Sequence, residues 1–373
     1  MPAGGYLIPT IDWNGLTGRL ERAAVSIVRL DARLSASGLG DGWQNRCNLT
    51  EAVKALILDG HLVDLADLVL HDAGMDLRSP THELGRASSA LRSRRAALAR
   101  PAPWPITPDG LAALRGLSAS ASEAPKPKAT ALQKEANQDD EDDWLASDDT
   151  DPLGSHFAEI DALLARTSKV LAGEVAAPKQ RSRLIYGEDD DDGEAEDAWF
   201  EVVKRTSDWP AVAAAAIAWD AWLELRLYPR QPWLGLILAA AVLRSRGLTD
   251  YLLPMAAGYR EAGYRPTGRE TACEKIIKFT EIVEQTVTLG HKDLDRLSLA
   301  RDLMGRVTKD CRRNSKLPDL VSLFLSRPLV TMPLATQVLK VTPKGFETMM
   351  NQLGGSAPRE LTGRGRYRAW GIV

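Results

Sequence analysis

The sequence predicts a mainly α-helical protein that ends in a winged helix-turn-helix with a short β-hairpin. Two observations predict this fold class. Apolar residues recur at three- and four-residue spacing over most of the 373 residues, of which 44% are hydrophobic. Near Gly354 and Gly355 the apolar period changes from helical to alternating, which is typical of a helix followed by two short strands.

Changes in composition along the chain predict four domains. Residues 1–116 form a helical N-terminal module, and residues 117–152 form an acidic, disordered linker. Residues 153–310 form a central helical domain that contains an acidic loop at 174–197. Residues 311–373 form the winged helix-turn-helix.

Two acidic runs lie in the linker and in this loop. Glu135 to Asp151 contains nine carboxylates and Glu188 to Asp197 contains eight, with no basic residue in either run. Their expected role is solvation. A sharper alternative is that they fold back on the basic C-terminal segment and compete with DNA, which would lower non-specific binding.

The C-terminal segment predicts three helices. Arg327-Pro328 ends the first helix, because proline disfavours α geometry in the residue before it. Thr331 caps the second helix. The buried stripe of this second helix is predicted to be Ala335, Val338 and Leu339. Val341-Thr342-Pro343 is then the turn, in which Thr342 is placed to cap the third helix.

The third helix is the predicted base-reading element. Its apolar residues are expected to face inward, and they are Phe346, Met349, Met350 and Leu353. The outward residues, which would meet base edges, are Lys344, Glu347, Thr348, Asn351 and Gln352. The predicted DNA-binding residues in this part of the chain are Thr342, Lys344, Thr348, Asn351 and Gln352.

The hairpin after this helix is the predicted wing. Its arginines, Arg364, Arg366 and Arg368, follow glycines of a tight turn and are expected to bind phosphates or enter a minor groove. Tyr367 and Trp370 are expected to anchor it. From residue 312 to residue 373 the net charge is +7, whereas the whole chain carries −3. Such asymmetry favours binding to phosphates, because each neutralised phosphate releases counterions.

An alternative explanation remains open for this segment. A small three-helix unit with a basic surface can also bind protein. Lys340 stands where a helix-turn-helix commonly has glycine, and Thr336 stands where it commonly has alanine. Binding with no salt dependence would favour an interaction protein over a DNA-binding protein.

Other features of the sequence bound the class of protein. Cys47, Cys273 and Cys311 lie far apart, so neither a disulfide framework nor a zinc site is suggested, and no cofactor is expected. The N-terminus lacks the basic start and apolar run of an export signal. The longest apolar stretch, from Trp233 to Leu243, is too short to span a bilayer and predicts a core helix. We expect a cytoplasmic bacterial protein with no membrane partner.

One cluster of histidines and acids is a candidate for chemistry. Its members are His61, Asp64, Asp67, His71 and Asp72. Spacing of three residues on a helix would bring several of them together as a metal or phosphodiester site. Leucines and valines interleave them, however, so the cluster is better explained as the solvated face of an amphipathic helix. We therefore expect no enzyme activity, with a diverged nucleotidyl or phosphoryl transferase as the alternative.

The chain as a whole resembles an uncharacterised, often plasmid-borne bacterial family that joins a domain of unknown function to a C-terminal helix-turn-helix. The residues that carry this resemblance are Asp59 to Gly74, Gln231 to Gly235 and Glu360 to Gly371. Members are named as regulators on the helix-turn-helix alone. The resemblance implies a transcriptional or plasmid-maintenance regulator that binds double-stranded DNA.

More distantly, the order of parts resembles that of Fic proteins. Their catalytic motif, His-Pro-Phe-x-acid-Gly-Asn-Gly-Arg, corresponds here to Leu227 to Leu236, which contains neither histidine nor asparagine. Their inhibitory helix has a Ser or Thr and a Glu where Ala55 and Asp59 stand. The resemblance thus implies a Fic-like helical core without Fic chemistry. A homodimer is compatible with two-fold operators, but the sequence fixes neither a dimer nor a small-molecule effector.

Overall fold

The computed structural model describes most of the chain outside the linker. The described residues are 6–75, 79–119, 192–309, 311–312, 314–362 and 368–372. All of them belong to one compact unit. Thirteen α-helices and three short strands form within the described ranges. The predicted fold class, mainly α with a C-terminal helix-turn-helix and a short hairpin, is confirmed.

Ten helices precede the C-terminal module. The first five are α1 (Thr17–Ser37), α2 (Gly40–Leu58), α3 (Leu65–Asp72), α4 (His82–Ala99) and α5 (Pro108–Ala119). The next five are α6 (Asp192–Arg205), α7 (Ala211–Glu224), α8 (Trp233–Ser245), α9 (Met255–Ala262) and α10 (Ala272–Thr308).

The C-terminal module, residues 317 to 372, contains the remaining elements. They are α11 (Leu317–Ser326), β1 (Val330–Thr331), α12 (Met332–Leu339), α13 (Pro343–Leu353), β2 (Arg359–Glu360) and β3 (Ala369–Gly371). The three strands form one antiparallel sheet in the order β1-β3-β2. The hairpin of β2 and β3 lies where the sequence predicts a wing, and we use the word wing for this hairpin below.

Helices α1 to α5 and α6 to α10 share one hydrophobic core. In α1 the buried residues recur at helical spacing, as Leu20, Ala23, Ile27, Leu30 and Leu34. Leu30 and Trp43 both contact α10 at Gly290, where an added Cβ would lie 2.7 Å from the leucine. The Trp43 indole also donates a hydrogen bond of 2.9 Å to the Gly290 carbonyl. The N-terminal and central helices are therefore packed against one another. The boundaries of the four domains predicted from the sequence stay predictions.

Helices α7 and α8 form the centre of this core. From Trp233 to Leu243 every residue is buried, which confirms the predicted core helix. In α7 the run from Val212 to Trp219 is buried too. A helix that is apolar on all sides is stable only when neighbours cover every face.

Within the described ranges, no helix is long and apolar enough to cross a membrane.

A buried ion pair joins α2 and α4 to α9. Glu51 and Arg94 are each 1% exposed, with 3.6 Å between Oε1 and Nη1. Both Glu51 carboxylate oxygens accept hydrogen bonds from the first amides of α9, Ala256 and Ala257. Arg94 donates to the carbonyl of Leu252, just before α9. The carboxylate thus caps α9, and the guanidinium balances its charge.

The predicted acidic loop at 174–197 requires a correction at its end. Residues 192 to 197 form the first turns of α6. Helical spacing explains this, because Trp199 and Val202 are buried in the main core and Ala195 packs against it. The predicted linker at 117–152 is corrected at its start, because α5 extends to Ala119. The rest of the loop and the linker from residue 120 lie outside the described residues.

Candidate nucleic-acid interface

The helix-turn-helix is built by two threonine caps and one left-handed residue. The Thr331 hydroxyl accepts a hydrogen bond from the Leu334 amide at 3.2 Å and so starts α12. Thr342 does the same for α13, at 3.1 Å from the Gly345 amide. Between the helices Lys340 is left-handed, with φ at 54°. The two predicted caps are confirmed, and Lys340 occupies a conformation that favours glycine.

An aromatic contact fixes α13 on the sheet. Phe346 of α13 is fully buried and lies 5.2 Å, centroid to centroid, from Trp370 of β3. Met349 and Leu353 are buried on the same side of the helix. The expectation that Trp370 anchors the wing is confirmed, while Tyr367 lies outside the described residues. With one face of α13 held in this way, the opposite face is directed outward.

Apart from Pro343 at its start, the outward face of α13 is polar. Its exposed polar residues are Lys344, Glu347, Thr348, Asn351 and Gln352, as predicted. Two predicted site residues also bond within the helix. The Thr348 hydroxyl donates to the carbonyl of Lys344 at 2.9 Å, and the Thr342 hydroxyl accepts in the cap. Lys344, Asn351 and Gln352 form no side-chain hydrogen bond among the described residues. They are therefore available for a ligand.

One predicted buried residue of α12 is instead on the surface. Val338 is 48% exposed, whereas Ala335 and Leu339 of the same helix are buried. The prediction for Val338 was wrong because α12 is only two turns long and packs against the module on one narrow side. Met350 of α13, also predicted to face inward, is partly buried.

Of the three predicted wing contacts, Arg368 is the one that lies within the described residues. The guanidinium of Arg368 donates to the carboxylate of Glu360 on the neighbouring strand, at 2.7 and 3.0 Å. This hydrogen bond raises the pKa of Arg368 above its usual value. The same guanidinium lies 5.1 Å from the centre of the Trp370 ring. Arg364 and Arg366, the other two predicted wing contacts, lie outside the described residues.

The described part of the C-terminal module has an excess of unpaired positive charge. Arg368 is paired with Glu360, and Asp319 is paired with Lys316, the residue just before the module. The exposed basic residues with no ion pair among the described residues are Arg327, Lys340, Lys344 and Arg359. Unpaired cations on a surface are the arrangement that releases counterions when they meet phosphates.

Arg46 of α2 holds the C-terminal module on the rest of the unit. Its guanidinium donates to the carbonyls of Phe324, Leu325 and Arg327 at the end of α11, over 2.7 to 2.9 Å. Arg46 was not among the residues predicted from the sequence. Its only sequence signal is Gly42, one helical turn earlier, which marks a position where another backbone can approach closely.

The histidine and acid cluster does not form one helical face. His61 lies in the loop after α2, and Asp64 is the N-cap of α3, accepting from the Ala66 amide. The expectation of a single amphipathic helix was therefore wrong for these two residues, because the turn at Asp59 and Gly60 ends α2. Among the described residues, no three His, Cys, Asp or Glu side chains lie close enough to hold a metal ion together.

Arginines of α4 bind the acids of this region. Arg86 contacts both Asp59 and His61, and its guanidinium stacks over the Trp233 ring at 5.2 Å. Arg95 binds the Asp72 carboxylate through both terminal nitrogens. These pairs attach the end of α2 and the end of α3 to α4.

A full-length relative decides the family. "Uncharacterized protein y4cF" of Sinorhizobium fredii is 36% identical to this chain over 389 residues, covering 99% of this chain and 100% of that protein. The chain belongs to the family of this protein. The expected membership of an uncharacterised bacterial family is thereby confirmed.

Two segments of this family member match described domains. Residues 184–309 match the model described as "Protein of unknown function (DUF1612)". Residues 317–373 match the model described as "HTH DNA binding domain". The second segment begins at the first residue of α11 and contains the helix-turn-helix and the wing. The chain therefore carries a helix-turn-helix DNA-binding domain.

Proposed function

We propose that this protein binds double-stranded DNA sequence-specifically through α13 and the wing, as a transcriptional or plasmid-maintenance regulator of the bacterial cytoplasm. The outward face of α13 carries the proposal, because its polar side chains project from a helix whose other face is anchored by Phe346. In this proposal the base contacts are Lys344, Thr348 and Asn351, with Thr342 and Gln352 at the margins. The phosphate or minor-groove contacts are Arg364, Arg366 and Arg368.

The chemistry of these side chains suits readout in a major groove. An asparagine amide can both donate to and accept from the edge of adenine, and a lysine ammonium donates to the acceptors of guanine. Asn351 and Lys344 lie seven residues apart, which is two turns of one helix, so both point to the same side. We expect each lost base contact to cost about 1–3 kcal/mol of discrimination.

We further propose that the helices before the C-terminal module serve a non-catalytic role. Two acids of the candidate cluster are already engaged, since Asp72 is held by Arg95 and Asp64 caps α3. The segment from Leu227 to Leu236, which resembles the Fic motif in position, contains no histidine that could act as a base. Tight, Mg²⁺-dependent nucleotide binding would favour the alternative of a diverged transferase.

The test is binding of the full-length protein to mixed DNA fragments from its own genomic neighbourhood at several salt concentrations. Arg364→Ala/Arg366→Ala should lower the salt slope by about 1.8, since each phosphate contact contributes about 0.9. Asn351→Ala should keep the slope and weaken preference among fragments. Arg19→Ala/Arg22→Ala, on the exposed face of α1, is the matched charge control.

The outcomes separate the two hypotheses. A slope lowered in the wing variant but not in the control supports DNA binding, and the retained fragment gives the operator. If the wild-type protein binds no fragment at low salt, the proposal fails and a protein-interaction module becomes the leading explanation. A two-fold symmetric operator would support a homodimer.

A further inference from the structure

The last turns of α10 belong to the C-terminal module rather than to the main core. Met304 is 1% exposed and lies in one hydrophobic cluster with Phe324 and Phe346. Val307 and Cys311 pack against the same cluster. Earlier in the same helix, Leu297 belongs to the main core. The module as folded thus begins inside α10, before the segment that matches the helix-turn-helix family model.

Three cations lie in the last turn of α10 and directly after it. They are Arg306, Lys309 and Arg312, and all three are exposed. Their side chains have no hydrogen bond or ion pair with any other described residue. Elsewhere on α10 the arginines are paired, as Arg296 is with Asp293 at 3.0 Å and Arg301 with Asp302 at 3.4 Å. Of the three arginines of α10, Arg306 is therefore the one without an ion pair among the described residues, and Lys292, exposed and likewise unpaired, lies earlier in the helix than the module.

The C-terminal end of α10 lies close to α13, the proposed base-reading helix. α10 packs against α13 and against the 3-10 turn Gly354–Ser356, which directly follows α13. Arg306 therefore lies on the element beside the C-terminal end of α13, and Lys309 and Arg312 follow this element directly in the chain. That is one flank of the proposed DNA site, whereas the wing follows the 3-10 turn in the chain.

Stabilisation of the helix end does not account for all three charges. A cation in the last turn interacts favourably with the helix dipole, and Arg306 lies in that turn. The effect falls off within one turn. Arg312 lies four residues beyond the last residue of α10, so its charge serves no dipole.

We propose that Arg306, Lys309 and Arg312 form a second phosphate-binding strip, which we call the α10 strip. It contacts the DNA backbone beside the bases read by α13. This inference rests on the proposed function. Because phosphates carry no sequence information, the strip adds affinity and fixes the protein's orientation on the duplex without adding base preference.

The test removes the three charges from the full-length protein. Arg306→Gln/Lys309→Gln/Arg312→Gln should lower the salt slope of operator binding by about 2.7, from about 0.9 per contact, and leave the order of preference among fragments unchanged. The matched control is Arg19→Gln/Arg22→Gln/Arg29→Gln, three exposed arginines of α1. α1 packs on α10 near Gly290, about four helical turns before Met304. The control should keep the wild-type slope.

The possible results distinguish failure of the α10 strip from failure of the proposed DNA binding. If the wild-type protein binds DNA and the strip variant keeps its slope, the strip is wrong and the proposed function stands. If the control variant loses as much slope as the strip variant, the effect is one of net charge and the strip is likewise wrong. If the wild-type protein binds no DNA, both the proposed function and the α10 strip are wrong. Should the triple variant fail to fold, Lys309→Gln/Arg312→Gln, placed after the helix, should still lower the slope by about 1.8.

Discussion

The guanidinium of Arg46 lies 2.9 Å from the carbonyl oxygen of Leu325, near the end of α11. This contact joins α2 to the C-terminal module. The last carbonyls of a helix have no partner within the helix and carry partial negative charge, so a buried cation stabilises them. Burial lowers the pKa of Arg46 to about 10, which leaves it charged at neutral pH. The module is thereby held at a fixed orientation on the rest of the unit.

Removing this cation should loosen the C-terminal module. We expect Arg46→Met to lower the free energy of unfolding by about 2–4 kcal/mol, because several half-buried carbonyls lose a charged donor. Arg46→Lys should recover less than half of the loss, since an ammonium lacks the planar fork that reaches several carbonyls at once. Urea unfolding measures both, with the exposed Arg22→Met as control. Equal stability of all three variants would contradict a docking role.

A second prediction follows from the close approach of α2 and α11 at Gly42. A Cβ at Gly42 would lie 2.0 Å from the Leu325 carbonyl oxygen, and that oxygen belongs to backbone and cannot rotate away. Gly42→Ala should therefore destabilise the protein by about 1–3 kcal/mol through overpacking. Gly85 of α4 is the matched control, because its Cβ would meet nothing within 4 Å. Gly85→Ala should instead stabilise the helix by about 0.5–1 kcal/mol.

The parts of the fold that were predictable from sequence are local. Thr331 and Thr342 were recognised as caps because a hydroxyl and the amide it binds lie three residues apart in the chain. The polar face of α13 was predicted because one helix with a strong apolar period determines it. Such local signals can be interpreted without knowledge of the tertiary contacts.

The parts that were missed depend on distant contacts. Arg46 binds carbonyls about 280 residues away, and its sequence neighbours do not differ from those of an ordinary surface arginine. The ion pair of Glu51 and Arg94 is equally long-range, since it caps α9 from two other helices. Val338 was misplaced because the burial of α12 depends on which neighbours the module supplies.

Lys340 should be a site of stored backbone strain. Its φ of 54° is left-handed, which costs an L-amino acid roughly 1–2 kcal/mol and costs glycine almost nothing. Lys340→Gly should raise the free energy of unfolding by about 1 kcal/mol. Lys340→Ala removes the same charge but keeps a Cβ, so it should bring no gain. A thermal melt of the three proteins distinguishes strain from charge, and equal gains in both variants would refute strain.

The buried pair of Glu51 and Arg94 should make the N-terminal and central helices unfold together. Burial raises the pKa of Glu51 and lowers that of Arg94, so neither charge is tolerated without the other. Arg94→Met should cost about 3–5 kcal/mol, because it leaves a carboxylate buried without its cation. Calorimetry should show one transition at a lower temperature for these helices. Two separated transitions would indicate that the helices unfold independently.

The wing offers a change that should strengthen DNA binding. The carboxylate of Glu360 forms an ion pair with the guanidinium of Arg368. The Arg368 side chain is 47% exposed, so without this pair it would be available to a phosphate. Glu360→Gln should therefore raise DNA affinity several-fold, because the carboxylate no longer competes with a phosphate for this guanidinium. Stability should change little, since exposed ion pairs contribute about 0–1 kcal/mol. Glu281→Gln is the matched control, because it frees Lys278 of α10 outside the module. Unchanged DNA affinity in Glu360→Gln would place Arg368 away from the DNA and leave the wing contacts to Arg364 and Arg366.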